Sequence, residues 1–226
     1  MKKAYLCVAA GAALAALTGS AKTVARALVV PSGGAKVLVY NISDTGDWAS
    51  AKEFCKKRSS YAIRRAQCVN DIVYVMEAAT GSSGAGGYIY RYRADGTFID
   101  EYVRFDGSAD GMVVTPDAHY LFVANNEDNV YKGRLMRYDM VKNEWKIDYG
   151  FSSSAFMRQM CTDDSGHLYV ANRNSPHIYK FDIEHEGEQY TDSNYEARSE
   201  SFPPAISHRN TRCVDRAGKY FLEYAA

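Results

Sequence analysis

Four oxygen-bearing side chains, Glu77, Asp110, Asn125 and Asn172, flank short apolar runs in a chain of 226 residues, and Arg65 and Arg158 stand beside them in the same pattern. A set of oxygens like this suits a hard divalent cation such as calcium, which takes six to eight of them. The guanidinium groups of Arg65 and Arg158 favour instead a carboxylate or phosphate, which guanidinium grips in a fork. An asparagine after a strand also has a plainer use, bonding to nearby backbone to cap a turn. Residue type alone leaves these uses open. The candidate ligand-binding set is therefore Arg65, Glu77, Asp110, Asn125, Arg158 and Asn172, and Glu77, Asp110, Asn125 and Asn172 are its metal candidates. No catalytic residue stands out. The sequence holds no G-x-S-x-G, H-E-x-x-H or C-x-x-C, so the common serine hydrolase, zinc protease and thioredoxin-like readings fall away. Gly81 to Gly87 reads as a flexible loop, with no helix after it to hold a phosphate. His119, His167, His177, His185 and His208 fall in turns and loops without ligand spacing, and surface exposure accounts for them.

The elements that must hold such a set are short strands. Between Asp110 and Tyr149 four apolar runs follow one another: Met112 to Thr115, Tyr120 to Ala124, Arg134 to Asp139 and Trp145 to Tyr149. Pro116-Asp117 closes the first as a tight turn. The third alternates at the period of two that a half-buried strand shows, and no window has helical spacing. The pattern repeats. Val75, Val123, Val170 and Leu222 anchor VYVMEA, LFVANN, LYVANR and YFLEYA, at separations of 48, 47 and 52 residues. Tyr40, Tyr92, Tyr138 and Phe181 form a second column. Four strands per unit at roughly 40 to 50 residues predict an all-β fold, a β-propeller of about four four-stranded antiparallel blades. The residues before run one (Arg64, Arg65, Asp110, Arg158, Arg209, Asn210) and after run two (Glu77, Asn125, Asn126, Asn172, Arg173, Glu223) then share one face at the central channel.

Residues 1–21 read as a signal peptide, with Lys2 and Lys3 before an apolar run to Leu17 and small residues before Lys22. The run is short for a membrane span. Residues 22–226 are left as the propeller domain, in a secreted or periplasmic location, with no membrane partner after cleavage. Lys plus Arg and Asp plus Glu each total 27, so losing Lys2 and Lys3 leaves a slight negative charge and no electrostatic reason to expect nucleic acid. The basic cluster from Lys52 to Arg65 reads as a solvated loop. Cys68, Cys161 and Cys213 align with Val114, which favours buried thiols, Cys55 with Cys68 being the best disulfide pair otherwise. The chain opens on a half blade from Val37, holds three whole blades and closes on a half blade at Thr211. Either the termini join to complete a fourth blade, or the chain is a shortened part of a larger propeller. Glu184 to Asn210 is a long polar loop, or a flap over a site.

The runs LFVANN and LYVANR, preceded by DGMVVTPDAHY and CTDDSGHLY, resemble NHL-repeat and YVTN-type propellers and, more distantly, the gluconolactonase-like lactonases (the senescence marker protein superfamily). The resemblance implies two activities. One is a propeller that binds a small ligand or a protein partner at its channel face. The other is a metal-dependent hydrolase of lactones or esters. In those lactonases a divalent metal is held near the channel by Glu, Asn and Asp, one aspartate directly preceding Gly-Met. Asp110 occupies that place, whereas Arg158 and Arg209 stand where oxygen donors would be wanted.

Overall fold

The structure, a computed structural model, describes residues 4–9, 23–31, 33–79, 86–125, 134–148, 157–172, 178–184, 197–198, 211–214 and 221–224. Among them every regular element is a β-strand, and all pairings are antiparallel. The chain divides into two compact units, Met1–Ala78 with Gly87–Phe105, and Ala79–Gly86 with Asp106–Ala226.

In the first unit, β1 (Ala4–Ala9), β2 (Thr23–Pro31), β3 (Lys36–Ser43) and β4 (Lys52–Lys56) form one sheet in chain order. A second sheet follows the same order with β5 (Ala62–Val69), β6 (Ile72–Ala78), β7 (Gly87–Arg93) and β8 (Phe98–Phe105). Leu28, Val30, Val37 and Cys55 from the first sheet pack against Ile63, Ala66, Val73, Val75, Tyr90 and Tyr92 from the second. Because β6 is central and covered on both sides, nearly all of IVYVMEA is buried and its alternation is lost. The edge strand β8 keeps the exposed charges Glu101 and Arg104, which discourage pairing with another chain.

In the second unit, β9 (Ala109–Val114), β10 (Tyr120–Asn125), β11 (Arg134–Asp139) and β12 (Glu144–Asp148) make a four-stranded sheet, and β13 (Met157–Thr162), β14 (His167–Asn172), β15 (Ile178–Asp182) and β16 (Ala197–Arg198) make another. Two further strands, β17 (Thr211–Val214) and β18 (Phe221–Tyr224), pair with each other. The strands β9, β13 and β17 lie alongside one another, and the core between the first two sheets is built from Val113, Phe122, Leu135, Leu168, Val170 and Phe181. Arg137, itself buried, donates Nη1 to Ile183 O at 2.8 Å and so ties β11 to the end of β15.

The repeat grammar therefore gives the fold: four-stranded antiparallel sheets at the expected spacing, with the four runs after Asp110 becoming β9 to β12. The N-terminal half blade is longer than the sequence reading has it. It gains β1, from inside the leader-like apolar run, and β2, from a stretch of small and apolar residues without the alternation that marks a one-sided strand. Most of the Glu184–Asn210 loop lies outside the described residues.

Cys55, Cys68 and Cys161 form no disulfide. The shared column proposed for the cysteines survives the register only in part. Cys68 faces Val73 as Val114 faces Leu121, so those two do share a column, whereas Cys161 faces Tyr169 and Cys213 faces Leu222, one and two positions further along. Burial pushes the Cys55 thiol up to about 11, against hydrogen bonds with Tyr92 and the Val37 backbone, and it pushes the Tyr90 hydroxyl up to about 12. A group whose pKa is raised on folding stabilises the fold fully below its unfolded pKa and loses that contribution as pH climbs through the folded value. Urea midpoints should therefore fall between about pH 9 and 11, with Cys55 accounting for on the order of 2 kcal/mol. Cys55→Val should flatten the decline, and an equally steep decline in that variant would contradict the assignment.

Candidate functional site

The first strand of three successive sheets carries a one-residue irregularity at the same place. In β5 the pairs Ile63–Glu77 and Arg65–Met76 leave Arg64 over. In β9 the pairs Ala109–Asn125 and Gly111–Ala124 leave Asp110, and in β13 the pairs Met157–Asn172 and Gln159–Ala171 leave Arg158. A bulge of this kind puts two residues opposite one, bends the strand and re-aims a side chain. Each bulge stands beside the polar residue that closes the second strand, and in β9 the bulge residue Asp110 is followed directly by the buried run Gly111 to Val114.

Those closing residues, Glu77, Asn125 and Asn172, are equivalent by register. Glu77 is fully buried. Its carboxylate accepts from the Arg58 N–H at 2.6 Å, the Ser59 N–H at 2.7 Å and the Ser59 hydroxyl at 2.6 Å. Ser59 Oγ in turn accepts from the Tyr61 N–H at 3.0 Å. The loop leading into β5 is thus fastened to the end of β6 by one side chain. Asn125, 1% exposed, does the same for the next sheet, donating Nδ2 to Asp106 O at 2.6 Å in the loop that leads into β9. Gly107, at φ +89°, leaves room for that amide, since a Cβ there would stand 2.5 Å from Asn125 Nδ2. The side chains of Arg158 and Asn172, and all of Asn126, Arg173, Arg209 and Asn210, lie outside the described residues.

In the first unit, then, Arg64, Arg65 and Glu77 share one end of the β5–β6 pair. Arg65 turns Nη1 back to Arg64 O at 2.9 Å. In the second unit Asp110 and Asn125 share the corresponding end of β9–β10, and the bulge at Arg158 lies on the neighbouring strand β13. Asp110 is half-buried. Among the described residues no three His, Cys, Asp or Glu side chains gather as metal ligands would. The basic cluster is more than a solvated loop: the Arg58 guanidinium lies over the Phe98 ring at 3.6 Å, and Lys57 Nζ donates to Ser60 O at 3.4 Å.

Sequence reasoning marked the Pro116-Asp117 turn but passed over the side-chain hydrogen bonds within the hairpin turns at the other end of the first and second strands. Asp163, buried, accepts from the Ser165 and His167 N–H groups and from the Tyr169 hydroxyl, and lies 2.9 Å from His167 Nδ1. Burial pushes its carboxyl upward, yet these hydrogen bonds together carry it below the ordinary carboxylate range. In the preceding sheet Asp117 accepts from the His119 N–H at 3.0 Å, and His119 stacks on Tyr120 at 4.1 Å. His119 and His167 are thus built into their turns rather than merely exposed. The spacing T-x-D-x-H and D-x-x-x-H was the visible signal.

No protein-family model and no curated protein matches the chain. Solved structures match it by shape. Kuenenia stuttgartiensis hydrazine synthase is similar at TM-score 0.60 and 13% identity, covering 88% of this chain and 64% of that one. The β-propeller domain of Cps50 (Swd1) from Myceliophteria thermophila is similar at 0.54 and 15%, covering 88% and 58%. A gluconolactonase from Xanthomonas campestris is similar at 0.52 and 12%, covering 70% and 55%. The chain spans less than two thirds of the length of each of these. Identity at this level shows the fold alone, and that fold is the β-propeller, each four-stranded sheet being a blade.

Proposed function

We propose that this is an NHL-like β-propeller, secreted or periplasmic, that binds a small ligand or a protein partner at its channel face and performs no catalysis. The observation that carries this reading is the bulge repeated at one register position in three blades, at Arg64, Asp110 and Arg158. Bulges are over-represented at sheet edges, at barrel rims and next to active sites, where they re-aim a side chain or end the pairing. Glu77 and Asn125 support that end of the blades from beneath by fastening the lead-in loops. Export rests on the leader-like segment; cleavage after Ala21 removes β1 and leaves β2 to β4 of the first sheet.

The second reading, a metal-dependent lactonase or esterase, is favoured by Asp110 at a bulge before Gly111-Met112 and by the likeness in fold to a gluconolactonase. There Asp110, with Asn125 and Asn172, would hold a divalent cation that polarises the substrate carbonyl. Glu77 serves it poorly, since backbone and hydroxyl donors engage both its oxygens. A ligand that binds only the folded state raises the melting temperature. Calcium and zinc titrations should leave it unchanged after chelation of adventitious metal. A rise that Asp110→Ala abolishes would transfer the case to the hydrolase.

A further inference from the structure

Among the described residues, the one buried side-chain nitrogen or oxygen left without a hydrogen-bond partner is Nε of Arg64. It belongs to the bulge residue of β5, between the Ile63–Glu77 and Arg65–Met76 pairs. Shutting a charged N–H away from water with no acceptor is costly, and folded proteins keep few such groups without a reason. The nearby acceptors are engaged elsewhere. Arg64 O takes Nη1 of Arg65, and the Glu77 carboxylate takes the donors of Arg58 and Ser59. The neighbouring cations are steadied by non-acidic groups, Arg58 by the Phe98 ring and Lys57 by Ser60 O. Positive charge at this end of the blade is therefore not cancelled by an ion pair to Glu77. Arg64 as a whole is only half-buried, so a ligand can reach the rest of its guanidinium.

We infer that Arg64 is an anion receptor: the oxygens of a carboxylate or phosphate on a small ligand accept from its terminal nitrogens, the part of the guanidinium that half-burial leaves within reach, while Nε itself stays closed to solvent. That is the two-pronged geometry a guanidinium presents and an ammonium cannot. The inference rests on the ligand-binding reading above and gives the ligand its chemical class. It also moves the recognising group one residue from Arg65, whose Nη1 is turned toward backbone.

The test is calorimetric titration of the full chain with inorganic phosphate and with succinate, at constant ionic strength set by chloride. Arg64→Gln is compared with wild type and with Arg104→Gln, which removes the same charge from the exposed edge strand β8. One of the two anions should bind wild type and Arg104→Gln alike and bind Arg64→Gln at least about ten-fold more weakly, the loss of one charged fork. Which anion does so separates a phosphate from a carboxylate ligand. Arg64→Lys, which keeps the charge without the fork, should fall between and serves if the glutamine variant fails to fold. Equal binding by wild type and Arg64→Gln, or no binding of either anion beyond chloride, overturns the assignment. Glucose is the neutral arm: if it raises the melting temperature of wild type and Arg64→Gln equally while neither anion binds, the channel-face reading stands and the anion site falls.

Discussion

Glu77→Ala is expected to cost about 3 kcal/mol of stability, as two backbone N–H groups and one hydroxyl lose a charged acceptor in a place largely closed to water. Each hydrogen bond to a charged group is worth about 1.5–3 kcal/mol, and partial access of water to the loop offsets some of that sum. Glu77→Gln should lose roughly half as much, because one end of its amide presents N–H groups to donors. Urea unfolding gives the magnitude, and limited proteolysis between Lys57 and Tyr61 gives the place, since a loop released from its anchor becomes cleavable. A residue held chiefly for a ligand behaves in the opposite sense, its removal leaving stability unchanged or raising it. An unchanged or raised urea midpoint would sink the fastening role.

Gly107→Ala should be nearly as damaging, at about 2–4 kcal/mol. The residue sits at φ +89°, which side chains rarely adopt, and its new Cβ would meet Asn125 Nδ2 at 2.5 Å, Oδ1 at 2.6 Å and Cγ at 2.9 Å. The amide cannot retreat without giving up its bond to Asp106 O. Asn125→Ala alone should cost about 1–2 kcal/mol for that bond. Combined, the two should cost less than their sum, because the second removes the atoms with which the first collides, leaving mainly backbone strain. Thermal melts of the four proteins close the cycle. Strict additivity would mean that Gly107 is required for its backbone angle and not for the space it leaves.

The strands of the best-preserved blade could be located from turn residues and short apolar runs because Pro116-Asp117 and the alternation of Leu135 to Tyr138 are local signals. Sheet membership of residues 4–9 and 23–31 was not legible, since an apolar run without punctuation satisfies a leader, a core strand or a helix equally well. The bulges were hidden for a related reason. One extra residue shifts the alternation by a single step, which is why Arg64 and Arg65 looked interchangeable; Cys161 seemed to share a column with Cys68 for another reason, the unequal hairpins that close at Val69–Ile72 and at Thr162–Leu168. Polar residues closing the second strands were visible by type. Whether such a residue turns outward to a ligand or back to its own loop depends on donors 18 or 19 positions away, Arg58 and Ser59 for Glu77 and Asp106 for Asn125, and no short window contains both.

A residue that the pairing ladder skips is also one whose chemistry can change without disturbing its neighbours. Cationic Arg64 and Arg158 and anionic Asp110 occupy the skipped place in three blades while the apolar contacts on either side keep their order. In each blade, taken by itself, the skipped position can be exchanged for another residue type while the paired register on either side is kept.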